Sequence, residues 1–209
     1  MKKPPWFHGE IERISHTHFF IKPYLCNCLK NQIITDDGRK FLGHNYQNTY
    51  EEWTGTFADK FFDMGTLIRL ATAVEQNLKG YYMMKKGHVN RAVLHGDPKY
   101  KQNIFQRIMP WQSDGALRLY RDELSFDLSS ISQIGSMQEL MLHRHLYAHN
   151  SGLIDHDYID RLKKLTGVDL WQQPQVAQVY PNDDVYWFEP LKRLNHFIEE
   201  AKRFFRSFP

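Results

Sequence analysis

From Thr49 to Met84 apolar side chains recur at helical spacing, the longest such run in the chain. A helix of that length draws its stability from what packs on its apolar face, so the pattern demands helical neighbours. Phe57, Phe61, Met64, Ile68, Ala71 and Glu75 or Leu78 fall on one stripe. Gly65 within the stripe would admit a close neighbour, and Gly80 would break or cap the helix near its end. At 209 residues the chain can bury one good core, so a single domain is expected over 1–209.

The remaining patterns supply the neighbours. The first dozen residues read as an extended lead-in. Ile11 to Lys22 has helical spacing, and Pro23 is expected to bend or end that helix. Asp36-Asp37-Gly38 marks a turn. Gly87 to Pro98 is loop-like, Lys99 to Met109 and Gly115 to Leu124 read as short helices parted by Pro110, and Ser125 to Gly135 is irregular. Ser136-Met137-Gln138-Glu139 has the form of a capping box, which starts a helix running to about His149. Asn150 and Gly152 tolerate the left-handed conformation that stops it. Asp155 caps a further helix to about Leu165. Leu170 to Val185 is a connector with some strand character. Trp187 to Phe205 is a final amphipathic helix with Leu191, Leu194, Phe197, Ile198 and Ala201 on its apolar face. The expectation is an all-α helical bundle with long connections. Residues 1–48 form an N-terminal helical extension packed on a core at 49–209, which carries a variable insertion near 87–135.

Composition narrows the function classes. With 42% hydrophobic and 24% charged residues the chain is globular. A net charge of +3 is too small to mark a protein that coats DNA, yet it permits a local patch that recognises a few nucleotides. Cys26 and Cys28 cannot build a disulfide framework and read as reduced thiols. The N-terminus shows no apolar run of signal-peptide type, and no stretch approaches the ~20 apolar residues of a membrane span. A cytoplasmic setting is expected, without membrane association.

The candidate chemistry lies in Arg144-His145-Leu146-Tyr147-Ala148-His149-Asn150. The R-x4-H spacing alone means little. Twelve arginines and 11 histidines occur in the chain, and random placement of that many gives roughly 0.6 such pairs. Three exist: Arg13/His18, Arg39/His44 and Arg144/His149. Context separates the last, because it sits at the end of a helix with a defined start and stop and is followed by Asn150-Ser151-Gly152-Leu153-Ile154-Asp155.

Arg144-His145-x-x-x-His149-Asn150-x-Gly152-x-Ile154-Asp155-x-x-Tyr158 resembles the signature of the HEPN superfamily, the helical domains of toxins, RNA-processing nucleases and antiviral effectors. Glu75-Gln76-Asn77-Leu78-Lys79 resembles the E-x-x-L-K of an earlier helix in that fold. The resemblance covers about residues 50 to 205. It implies a HEPN-like bundle, usually paired as a homodimer, that cuts RNA without metal at a cleft where the arginine and histidine of two protomers face each other. Arg144 and His149 would be the catalytic pair, His145 would take the polar position after the arginine, and Asn150 would support them. The implied role is that of a toxin or antiviral defence effector with an antitoxin or defence partner. Ser151 departs from one toxin branch, which carries a tyrosine there for nucleotide modification by its antitoxin.

These residue types suit the reaction. RNA carries its own nucleophile, the 2′-hydroxyl. Imidazole exchanges protons near neutrality, and guanidinium matches phosphate oxygens with a fork of donors. No metal or cofactor is required. Residues five apart lie about 140° apart around a helix, so Arg144 and His149 converge only if the arginine reaches across, the helix unwinds near Asn150, or a partner subunit completes the site. Two other readings stay open. His145 and His149 form an H-x-x-x-H pair able to bind zinc in a hydrolase, although Leu146 stands where metalloproteases place glutamate. The fold could also serve as an inactive module that binds RNA or protein.

Overall fold

The computed structural model describes residues 6–24, 27, 58–87, 116–180 and 183–209. Within them the fold is all-α, with no strand beyond one antiparallel bridge between Leu153 and Tyr186. The helices are α1 (Trp6–His16), α2 (Ala58–Lys85), α3 (Ala116–Leu124), α4 (Ile134–Asn150), α5 (His156–Thr166), the single turn α6 (Pro174–Ala177) and α7 (Leu194–Arg206). None of the described helices is long and apolar enough to cross a membrane. The turn at residues 36–38, the helix expected at 99–109, Cys26, Cys28, Trp53, Trp111 and the Arg39/His44 pair lie outside the described residues.

Helix α2 is the axis of the bundle, with α1, α4 and α7 packed on it. It is buried on more than one stripe: Met64, Leu67, Leu70, Ala71, Val74, Leu78 and Tyr81 are all in the core. Phe61, expected on the buried stripe, is 63% exposed. Among the described residues nothing lies within 4 Å of a Cβ built on Gly65, which is exposed. Gly80 does not end the helix, which continues to Lys85. The cost of an interior glycine, about 1 kcal/mol, is small beside the burial of Tyr81 and Tyr82 on the following turn. The Tyr120 hydroxyl adds a bond of 2.5 Å from α3 to the Leu78 carbonyl.

The N-terminal segment is helical from Trp6, not an extended lead-in. Ile11 and Ile14 are buried, and Glu10 holds both Arg13 on its own helix and Arg69 on α2. The chain stays helical past His16 by widening to a π turn at Thr17–Ile21, where Lys22 N donates to Thr17 O. The chain remains helical through Pro23 to Tyr24, so Pro23 does not end the helix, and the wider turn just before it relieves the clash its ring makes with a regular α turn.

Helix α4 begins two residues before the expected capping box, and no side chain caps it. Glu139 turns instead to His143 one turn along α4 and to Arg193 from the turn before α7. Asp155 does cap α5, its Oδ1 accepting from Tyr158 N at 2.7 Å. Among its described residues the connector after α5 forms one 3-10 turn, Leu170–Gln172, and α6, and it ends in the bridge at Tyr186. Trp187 precedes the last helix and is not part of it. Pro190 instead shapes a 3-10 turn, Glu189–Arg193, that leads into α7. On α7, Leu194, Phe197, Ile198, Ala201, Phe204 and Phe205 are buried. Each large apolar side chain among them contributes about 1.5–3 kcal/mol by burial.

Candidate functional site

Helix α4 is enclosed by α2, α5 and α7, and each contact turns one of its polar residues to a separate task. Arg144 points to α2. Its Nη1 donates to Glu75 Oε2 at 2.6 Å, and the other oxygen of Glu75 accepts from Lys79 one turn along α2. The Glu75 side chain is 7% exposed and that of Arg144 is 25% exposed. The pair therefore binds at the margin of the core, with the Arg144 side chain partly open to solvent. Glu75 and Lys79 belong to the same Glu75-x-x-Leu78-Lys79 element singled out in the sequence, so the two motifs meet in space.

His145 and His149 lie on the outer face of α4. Both are exposed, and their ring centroids are 4.8 Å apart. Among the described residues no hydrogen bond or ion pair joins Arg144 to His149. The helix keeps its α geometry through Asn150, which removes unwinding as a route to convergence. A reach by the arginine, or a second chain, remains.

The stop after His149 is built in layers. Ser151 takes the left-handed conformation at φ 53° and Gly152 follows at φ 93°. Both of their amides reach back to Leu146 O. Asn150 Nδ2 donates to Asp155 Oδ2 at 2.6 Å, while the other oxygen of Asp155 caps α5. Asn150 thus locks the α4–α5 turn and thereby the position of His149. A Cβ on Gly152 would stand 3.4 Å from the Phe188 ring and 3.6 Å from that of Tyr147. Trp187 N donates to Gly152 O at 2.9 Å, Ile154 N to Val185 O at 3.1 Å, and the Tyr147 hydroxyl to Trp187 O at 2.9 Å. Residues 185–188 are thereby fastened to the turn that follows His149.

His143 is the functional-type residue that sequence reasoning passed over. It is 1% exposed. Its Nδ1 lies 2.9 Å from the Tyr158 hydroxyl and its Nε2 lies 3.2 Å from Glu139 Oε1. A carboxylate only accepts, so Nε2 carries the proton and the tyrosine donates to Nδ1. Burial pushes the His143 pKa below its usual range, against the opposing pull of Glu139. Burial alone would raise Glu139, but the hydrogen bonds from His143 and Arg193 and their charges hold its carboxyl below the usual range. Burial likewise pushes the Tyr158 and Tyr147 hydroxyls up. The available signal was the Glu139/His143 spacing of four, which places both on one helix face.

For a metal, His145 and His149 form an exposed pair on α4. His143 is turned inward, and His156 Nδ1 meets the Tyr180 hydroxyl at 2.8 Å. Among the described residues no group of three or more His, Cys, Asp or Glu could hold a metal ion. Of the other R-x4-H pair within the described residues, Arg13 is on the surface with Glu10, while His18 lies 2.7 Å from Asn195 and 3.7 Å from Asp63. Those contacts tie α1 to α7 and α2. Lys85 and Lys86 are exposed, with Lys86 3.0 Å from Glu123, and Asp183 and Asp184 are exposed.

No family model, no curated protein and no solved structure matches the chain.

Proposed function

We propose that this all-α chain is a HEPN-like, metal-independent endoribonuclease that cuts RNA by attack of the 2′-hydroxyl, with Arg144 and His149 as the reacting pair. The observation that carries the reading is the Glu75–Arg144 ion pair. It joins the two sequence elements on which the HEPN resemblance rests, and it does so beside the exposed His149 end of α4. Glu75 orients Arg144, whose exposed portion offers donors to a phosphate. His149 moves protons at the 2′-oxygen or the leaving 5′-oxygen. The arginine stabilises charge on the phosphorane, an effect typically worth ~10² to 10³ in rate per donor. His145 is a second exposed imidazole 4.8 Å from the first, and Asn150 holds the turn.

Arg144 and His149 diverge around α4, so the site is composite: a two-fold dimer sets the arginine of one chain opposite the histidine of its partner. A cytoplasmic toxin or defence effector, held in check by an antitoxin or a defence-system partner, is the role that fits such an activity. The engagement of Arg144 by Glu75 favours one second reading, an inactive module of the same fold that binds RNA or a protein. The test is incubation of purified chain with a mixed RNA pool, with and without a chelator. The nuclease reading expects cutting that survives the chelator and is lost in His149→Ala and Arg144→Ala. Cutting abolished by the chelator would assign the two histidines to zinc, and binding without cutting would assign the module.

A further inference from the structure

The strip that fastens the turn after His149 presents one aromatic ring outward. Along residues 185–188 the side chains alternate: Val185 and Trp187 are buried, whereas Tyr186 is 53% exposed. The alternation follows from the bridge between Leu153 and Tyr186, which sets extended geometry there. The Tyr186 ring is stacked on Phe188, with centroids 6.0 Å apart and planes 9° apart. Phe188 in turn lies against Gly152, and Lys60 Nζ is 4.8 Å from its centroid. A large ring is thus held by backbone bonds and by a second ring that is backed by a cation and lies against Gly152, three residues of chain after His149.

We propose that Tyr186 is a stacking platform for an unpaired base of the RNA bound at the His149 end of α4. This inference rests on the RNA reading above and adds where a neighbouring nucleotide is gripped. Single-stranded RNA is recognised by aromatic side chains on which splayed bases stack, with cations nearby for the backbone. The parallel pair Tyr186/Phe188 is already the first step of such a stack, and a base extends it. The charges beside it set the balance of forces. Lys60 is the cation at the pair, Asp183 and Asp184 are exposed just before it, and Glu189 is occupied by Lys192 at 2.7 Å. With acidic groups this close, the grip depends on the ring face more than on charge, and it selects unpaired RNA over duplex.

The test measures binding separately from cutting. A fluorescent single-stranded 2′-O-methyl oligoribonucleotide, which offers no 2′-hydroxyl nucleophile, is titrated with the full chain and followed by anisotropy. Tyr186→Ala and Tyr186→Leu are expected to weaken binding about 5- to 150-fold, the span of base-on-aromatic stacking. Tyr186→Phe and Tyr186→Trp keep the ring face and stay close to the parent chain. The leucine variant preserves apolar bulk at an exposed site, and unchanged circular dichroism separates lost stacking from lost folding. No binding by the parent chain, equal binding by the alanine and leucine variants, or a phenylalanine variant as weak as leucine would each overturn the platform. If binding depends on the Tyr186 ring but unmodified RNA is never cut, the platform stands and the nuclease reading fails. If RNA is cut equally well by the parent chain and Tyr186→Leu at subsaturating RNA, the nuclease reading stands and the platform fails.

Discussion

Replacing Glu75 by glutamine tests the contact on which the site is built. Both oxygens of this buried carboxylate are used, one by Lys79 and one by Arg144. Glutamine keeps the shape and one acceptor, but it turns an amide donor toward a cation. Charge-assisted hydrogen bonds contribute about 1.5–3 kcal/mol each, and breaking a buried pair costs about 3–5 kcal/mol. The Arg144 side chain is 25% exposed and can recover some hydration, so the low end, about 3 kcal/mol, applies. For a chain of this length each kcal/mol moves the melting temperature by about 2–4 °C, which gives a fall of roughly 6–12 °C. The assay is thermal and urea unfolding of the parent chain, Glu75→Gln, Arg144→Met and the double variant. In the double variant the arginine no longer sits beside an amide, so its cost should fall short of the sum of the singles by at least about 0.5 kcal/mol. A loss below about 1 kcal/mol for Glu75→Gln, or strict additivity, would refute the pairing as a structural anchor.

Acid should destabilise the fold in two stages. His143 has a depressed pKa in the fold, so its contribution is intact above the unfolded imidazole value of ~6.5 and falls as pH drops below it, by up to about 1.4 kcal/mol per pH unit. Glu139 is also depressed, and its contribution is present above the unfolded carboxyl value and lost as pH falls through the lower folded one. Urea unfolding across pH checks both, and His143→Gln should remove the first decline. Gly152→Ala should cost more than Gly167→Ala. Both glycines have positive φ, but only Gly152 has rings within 4 Å of the added carbon, so about 1 kcal/mol is expected at Gly167 and more at Gly152. Thermal melts of the two variants decide. Light scattering should give a mass near twice the 25.0 kDa of one chain, and a strict monomer at working concentration would count against a composite site.

What was legible in the sequence was local. Asp155 capping α5 is decided by a few adjacent residues and falls where expected, as does the left-handed Gly152, whereas Asn150 stays helical and Ser151 takes the left-handed cap in its place. The amphipathic face of the last helix was legible for the same reason, although Pro190 moves its start to Leu194. Features decided by a distant partner were misread. Glu139 has the spacing of a capping box but is taken by His143 and by Arg193, 54 residues away in sequence. Gly80 looks like a break, yet the core around Tyr81 and Tyr82 carries the helix past it. Phe61 keeps helical register but faces outward and is 63% exposed, a direction that register alone does not give. The candidate site shows the same division: Arg144 and His149 could be chosen from the motif, whereas the contact of Arg144 with Glu75 spans 69 residues. The R-x4-H spacing is silent on which way each side chain points.

In the proposed reaction the RNA supplies its own nucleophile at Arg144 and His149. The most direct measurement is end analysis of RNA cut in the presence of a chelator, beside the same RNA carrying a single 2′-deoxy sugar at the mapped cut. Attack by the 2′-hydroxyl is expected to leave 2′,3′-cyclic phosphate and 5′-hydroxyl ends, with no cutting at the deoxy position. Cutting of the deoxy-substituted RNA at that position, or ends with a free 3′-hydroxyl, would contradict it.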